Sequence, residues 1–190
     1  MNTKTKVSSR YFNEILNNDN LHEWISDLFK FRIGVKPIVS FENNNFTLHF
    51  KNKDQNIFII EFTDNGRNNL FNKNPFFIEI TNHDFDISGD HILIEKSLVL
   101  YGVNYYNWMF RYIKKNILTI NYDFISYLIW TLNRVEEYGI KSTDKHDRFK
   151  LCNSHLETSE LYLRPIIDEW FSFINSLLLS DGFNCKKREF

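Results

Sequence analysis

The stretch PIVSFENNNFTLHFKNKDQNIFIIEF, residues 37–62, decides the class of fold. Within it Phe46, Leu48 and Phe50 alternate with Thr47 and His49, the period of two that turns one face of a strand towards a core. The triplet Asn43-Asn44-Asn45 separates this run from Pro37–Phe41 and predicts a hairpin, because Asn tolerates the left-handed backbone of tight turns. Ile57–Phe62 supplies a third strand. Further runs follow at Pro75–Ile80 and from Ile92 to Tyr101, with turns at Asp64-Asn65-Gly66 and Ser88-Gly89-Asp90. Residues 35–103 therefore read as a small mixed or mostly antiparallel sheet.

Helical periodicity flanks the sheet region on both sides. In residues 10–33, Leu21, Trp24, Ile25, Leu28 and Phe29 recur at three- and four-residue spacing. Asn20 and Glu23 have the spacing of a capping box, and Gly34 supplies a stop. Tyr11, Phe12, Ile15 and Leu16 suggest a shorter helix before it, broken across Asn17–Asn20. In the C-terminal helical region, residues 120–182, the first helix spans Tyr122–Tyr138. It carries a stripe of Phe124, Ile125, Leu128, Ile129, Leu132 and Val135, with Asp123 or Asn121 as cap and Gly139 as stop. After a polar loop, Pro165 opens a final helix at a favoured first position and Gly182 ends it. The expectation is one α+β domain over residues 1–190, the sheet covered by N- and C-terminal helices.

Composition narrows the function without choosing it. Hydrophobic residues make up 43% and charged residues 25%, ordinary for a globular chain. The aromatic content of 17%, with 19 Phe, fits AT-rich coding DNA more simply than a function. With 23 basic against 24 acidic residues, no electrostatic footprint for nucleic acid or an anionic membrane is expected. The polar N-terminus lacks the apolar core of a signal peptide, and no apolar run approaches the length of a membrane span. The expected location is the cytoplasm. The two cysteines, Cys152 and Cys185, are too few for a disulfide scaffold or a thiolate metal site and are expected to be reduced.

Signatures of chemistry are sparse. The six glycines are isolated, so no phosphate-cradling loop exists, and there is no Gly-x-Ser-x-Gly elbow. None of the six histidines forms a His-x-x-x-His pair, and His83-Asp84-Phe85-Asp86 reads as a solvated turn before it reads as a metal site. No cofactor and no metal is expected. The densest polar constellation runs through Arg134, Glu136 and Glu137, then Asp144, His146, Asp147 and Arg148. Four residues after Leu132, Glu136 continues the helix's apolar face, where a carboxylate needs a partner, and the Arg148 fork is suited to supply one. Glu137 points away and meets Arg134. The structural expectation is a loop pinned to the helix end by Glu136 and Arg148, with Phe149 inserted in the core. The rival is a small hydrolase or transferase using Glu136, Glu137, Asp144, His146 and Asp147 as acid, base or ligands. Trp24, Trp130 and Trp170 lie on or beside apolar stripes and read as core. Trp108 is the candidate contact for a glycan or partner.

Four ordered blocks carry a resemblance: Tyr122-Asp123-Phe124-Ile125-Ser126, Leu132–Tyr138, Asp144–Phe149 and Arg164–Trp170. Together they resemble the poorly characterised domain that precedes the catalytic barrel in bacterial polysaccharide deacetylase-like proteins. In that family the blocks read as an aromatic-rich helix ending in Ser-Arg-x-Glu-Glu-Tyr, then Asp-x-His-Gly-Arg-Phe, then a Pro-led helix start. Asn133 replaces the Ser, and Asp147 stands where Gly is common. The Asp-Asp pair and His-x-x-x-His motif that hold the deacetylase metal are not in this sequence. The resemblance thus implies a non-catalytic accessory or interaction domain in polysaccharide metabolism, with a deacetylase-type catalytic domain, another protein or a glycan as partner.

Overall fold

A computed structural model of the chain describes residues 9–67, 70, 77–80, 98–101, 109–135 and 165–186. Helices α1 (Ser9–Leu16) and α2 (Asp19–Ile33) come first, then strands β1 (Ile38–Glu42), β2 (Asn45–Lys51) and β3 (Ile57–Phe62). Strands β4 (Phe77–Ile80), β5 (Leu98–Tyr101), β6 (Phe110–Lys114) and β7 (Ile117–Ile120) follow, then helices α3 (Phe124–Leu132) and α4 (Ile166–Ser180). The main sheet has the order β1-β2-β3-β7-β6, and β4 pairs with β5 apart from it. All its pairings are antiparallel except β3 with β7, which run parallel. The architecture is α+β, as expected, with a mixed main sheet.

The β1–β2 hairpin forms because Asn43 and Asn44 take φ of 50° and 66°, so Phe41 lies opposite Phe46. Alternation then places Phe46, Leu48 and Phe50 of β2 and Phe58, Ile60 and Phe62 of β3 on one buried face. All four described helices join the core on that face. Phe29 of α2 meets Phe50 at 6.0 Å and Phe171 of α4 at 4.9 Å, and Phe62 meets Phe124 of α3 at 6.1 Å. Phe12 of α1 packs edge-on against Trp130 of α3. Burial of this much aromatic surface, at roughly 25 cal/mol per Å² of apolar area, is the main force holding the layers together.

Several expectations are corrected. The sheet does not end near residue 103: β6 and β7 continue it to Ile120. The β7 run Ile117-Leu118-Thr119-Ile120 shows no alternation: Leu118 and Ile120 face the core, and Thr119, on the opposite face, is also buried and donates to Glu61. The N-cap of α2 is Asn18, not Asn20; its side chain accepts from the Asn20 N–H at 2.9 Å, and no Asn20–Glu23 box forms. Gly34 ends α2 at φ 83°, as expected. The third helix stops at Leu132, six residues short of Tyr138. Asn133 is its C-cap, and Arg134 takes φ 51°. Leu132 is 39% exposed, so the premise that put Glu136 on a buried helical face is lost. Pro165 stands just before α4, its carbonyl accepting the first helical bond from Glu169 at 3.0 Å.

Candidate functional site

The most heavily buried charged groups among the described residues are Arg67 and Asp123, 4% and 2% exposed. Three pieces of chain bring them together. Beyond β3, Thr63–Gly66 turns sharply; Gly66 has φ 90°, and Arg67 N–H donates to Asp64 O at 3.1 Å. Beyond β7, Asn121 and Tyr122 lead straight into α3. The parallel pairing is prolonged by Thr63 N–H to Ile120 O at 3.0 Å, so both loops emerge from the same end of the sheet. There Thr63 Oγ1 donates to Asn121 Oδ1, Asn65 Nδ2 donates to Asn121 O, and Asp123 N–H donates to Asn65 O. The third piece is the β1–β2 turn.

Asp123 is the N-cap of α3: its Oδ1 accepts from Ser126 N–H at 2.9 Å, one of the donors a helix start leaves unpaired. Its Oδ2 accepts from Arg67 Nε. The same Nε lies 3.1 Å from Ser126 Oγ, Arg67 Nη2 donates to Asn44 O at 2.7 Å, and the guanidinium carbon stands 5.1 Å from the centre of the Phe41 ring. Burial pushes the Asp123 carboxyl above the usual carboxylate range, while the Arg67 charge and the Ser126 donors pull it back. With Ser126 at 0% exposed, no substrate atom reaches the hydroxyl or the carboxylate. What this arrangement does is join the β1–β2 turn, the loop after β3 and the start of α3.

A second ion pair joins the helices. Arg32 Nη1 donates to Asp168 Oδ1 at 2.6 Å, and its guanidinium carbon lies 5.7 Å from the Phe171 ring centre. Trp170, two residues after Asp168, stacks on Phe124 at 4.9 Å with 15° between planes, and its ring centre is 5.4 Å from that of Tyr122. The first and last of the four sequence blocks therefore touch, through aromatic core packing.

Of the residues singled out in the sequence, Arg134 is exposed just beyond α3, its N–H donating to Thr131 O at 3.2 Å. Glu136, Glu137, Asp144, His146, Asp147 and Arg148 lie outside the described residues, as do Phe149, Trp108, Cys152 and the His83–Asp86 turn. Trp24 is half-buried against the core, and Trp130 and Trp170 are buried in it. His22 is structural: its Nε2 is 2.7 Å from Leu16 O, and its ring meets Phe46 edge-on. Cys185 is a buried free thiol, pushed up to about 11 by burial. Among the described residues no three His, Cys, Asp or Glu side chains are grouped to hold a metal, and no helix is long and apolar enough to cross a membrane. Asp123 was legible as a cap. Arg67 was not, because an Arg after Asp-Asn-Gly has the signature of a solvated turn.

No curated protein and no solved structure matches the chain. One family profile does, over residues 11–182, and its description makes no mention of polysaccharide deacetylases. On that match, which spans most of its length, the chain belongs to DUF7033, a family of unknown function.

Proposed function

We propose that this chain is a non-catalytic accessory or interaction domain, related to the N-terminal part of polysaccharide deacetylase-like proteins, and that it works by packing against a deacetylase-type catalytic domain. The observation that carries the reading is the second face of the main sheet. The strand register sets Ile38, His49, Ile59, Ile117 and Lys114 in one row across all five strands, on the face opposite the core. Ile38 is 72% exposed and Ile57, two residues before Ile59 on the same side, is 45% exposed. Parallel strand pairs are ordinarily covered on both faces, yet all four described helices lie on the other side of β3 and β7. Exposed isoleucines on a sheet face, here set among His49 and Lys114, are what a domain presents to a protein neighbour.

Two paired carboxylates, Asp123 buried and Asp168 half-buried, support the same reading. Asp123 and Asp168, each in a block shared with the deacetylase-associated domain, are committed to holding secondary structure in place. The test is association with a deacetylase-type catalytic domain taken from a protein that carries the resembling N-terminal domain. Light scattering should show a one-to-one complex, lost when Ile38→Asp and Ile57→Asp are combined. Absence of any complex, or release of acetate from N-acetylated oligosaccharides by the purified chain alone with divalent metal added, would overturn it.

A further inference from the structure

We propose that the partner surface seated on the face of the main sheet opposite the core is acidic, and that it meets five cations, Lys51, Lys53, Arg111, Lys114 and Lys115, gathered on that face and at two adjoining hairpin tips. The inference rests on the accessory-domain reading and names the chemistry of its partner. The balance of 23 basic against 24 acidic residues hides a segregation that the topology creates from two distant stretches of chain. Because β3 and β7 run parallel, the turn before each, residues 52–56 and residues 115–116, stands at the same end of the sheet. The two hairpins are bonded to each other there: Ile59 N–H donates to Asn116 O and Asn116 Nδ2 to Ile57 O, both at 2.9 Å. In the first turn Asn52 Oδ1 accepts from the Asp54 and Asn56 N–H groups, each at 2.9 Å.

Register gives the direction of these charges. Lys51 lies opposite Ile57, Lys114 opposite Ile117 and Arg111 opposite Thr119, all on the side of the sheet away from the helices. Lys53 and Lys115 occupy the tips, and all five cations are exposed. Elsewhere cations are paired: Arg32 with Asp168, Lys36 with Glu23 and Asp27, Arg67 with Asp123. None of the five makes such a pair among the described residues, although Lys115 lies within electrostatic reach of Asp181. Glu61, on the same face, is half-buried and accepts from Thr119 Oγ1 at 3.1 Å. Cations gathered without counter-charges set a positive field over this end of the molecule. Among them stand Ile38, Ile57 and Ile113, at 72%, 45% and 53% exposed, Ile113 being the extra residue of the bulge between Tyr112 and Lys114. Aliphatic side chains with a charged rim have the anatomy of a protein contact, whereas a nucleic-acid groove offers aromatic faces for the bases.

The test follows association and dissociation rates of the full chain with the deacetylase-type catalytic domain by biolayer interferometry, from about 50 to about 500 mM NaCl. Lys53→Glu and Lys115→Glu, made singly, should each slow association about threefold to tenfold at low salt and change dissociation little, because charges at the rim of an interface act on encounter. The difference should shrink as salt shortens the screening length. Lys30→Glu makes the same change in net charge at an exposed position of α2, on the helical side of the sheet, and should leave the rates as they are. A complex whose association ignores both salt and the two reversals would overturn the acidic surface and leave the accessory-domain reading in place. Absence of any complex at low salt would overturn both. Phosphatidylserine vesicles and a single-stranded oligonucleotide serve as rival anionic surfaces: retention of the chain on either at about 150 mM NaCl, abolished by the same reversals, would overturn the choice of a protein partner.

Discussion

Asp123 serves two neighbours at once, one oxygen on the Ser126 N–H and the other on Arg67 Nε. Removing its charge strands a guanidinium that is 4% exposed, and breaking one half of a buried pair typically costs about 3–5 kcal/mol. Asp123→Asn keeps a competent cap but not the charge. It should therefore lose most of that stability in urea titration, whereas Ser126→Ala, which removes only a hydroxyl, should lose about 1 kcal/mol. Half of this pair was legible: an Asp before an apolar helical stripe reads as a cap. Its partner sits 56 residues earlier in a polar turn, and no local pattern announces that a turn will be buried. Cys185 gives the pH dependence. Burial raises its thiol from 9.0 to about 11, so on alkalinisation the unfolded chain loses that proton first. Its stability contribution is complete below pH 9.0 and disappears as pH climbs towards about 11. The fall in urea midpoint between about pH 8 and about pH 10.5 should accordingly be smaller in Cys185→Ala than in the wild type.

The elements that were legible are those whose pattern is set by one buried face. β2 alternates, and α2 and α4 repeat their apolar residues at helical spacing, so each declares its own period, while β3 reads as a strand from a short apolar run bounded by turns. β7 has no such declaration. It is a run of four residues, three of them apolar, too short to carry a period. The end of α3 failed for a different reason. Apolar residues continue in helical register to Val135, which is buried, but Asn133 caps the helix and Arg134 adopts a left-handed backbone. Val135 reaches the core from beyond the capped end of α3 and not from a fourth repeat of that helix. The α2 start shows capping chosen between close candidates: Asn18 and Asn20 both precede the stripe, and only Asn18 has extended backbone at φ −87° and ψ 123°. Asn18→Ala should destabilise the protein by about 1 kcal/mol in thermal unfolding, and Asn20→Ala by a few tenths at most.

At the scale of the molecule, the four described helices crowd one face of the main sheet, and the other carries isoleucines on β1, β3 and β7 beside His49 and Lys114. The two faces differ in energetic character, and neighbouring residues of β3 expose the difference. Ile60 is fully buried among the helices, so Ile60→Ala should cost about 2–5 kcal/mol, the usual range for an emptied core site. Ile57, three residues earlier and on the opposite side, is 45% exposed, and Ile57→Ala should stay within about 0.5 kcal/mol. Equal losses at both positions would mean that the isoleucine row is an internal surface and that the chain covers it unaided. A negligible loss at Ile57 leaves the row unexplained by folding. The isoleucines of β1, β3 and β7 are aligned through His49 of β2; Ile38 is exposed, and Ile59 and Ile117 are half-buried. Exposed isoleucines that add nothing to folding are what the proposed contact across the parallel pair predicts.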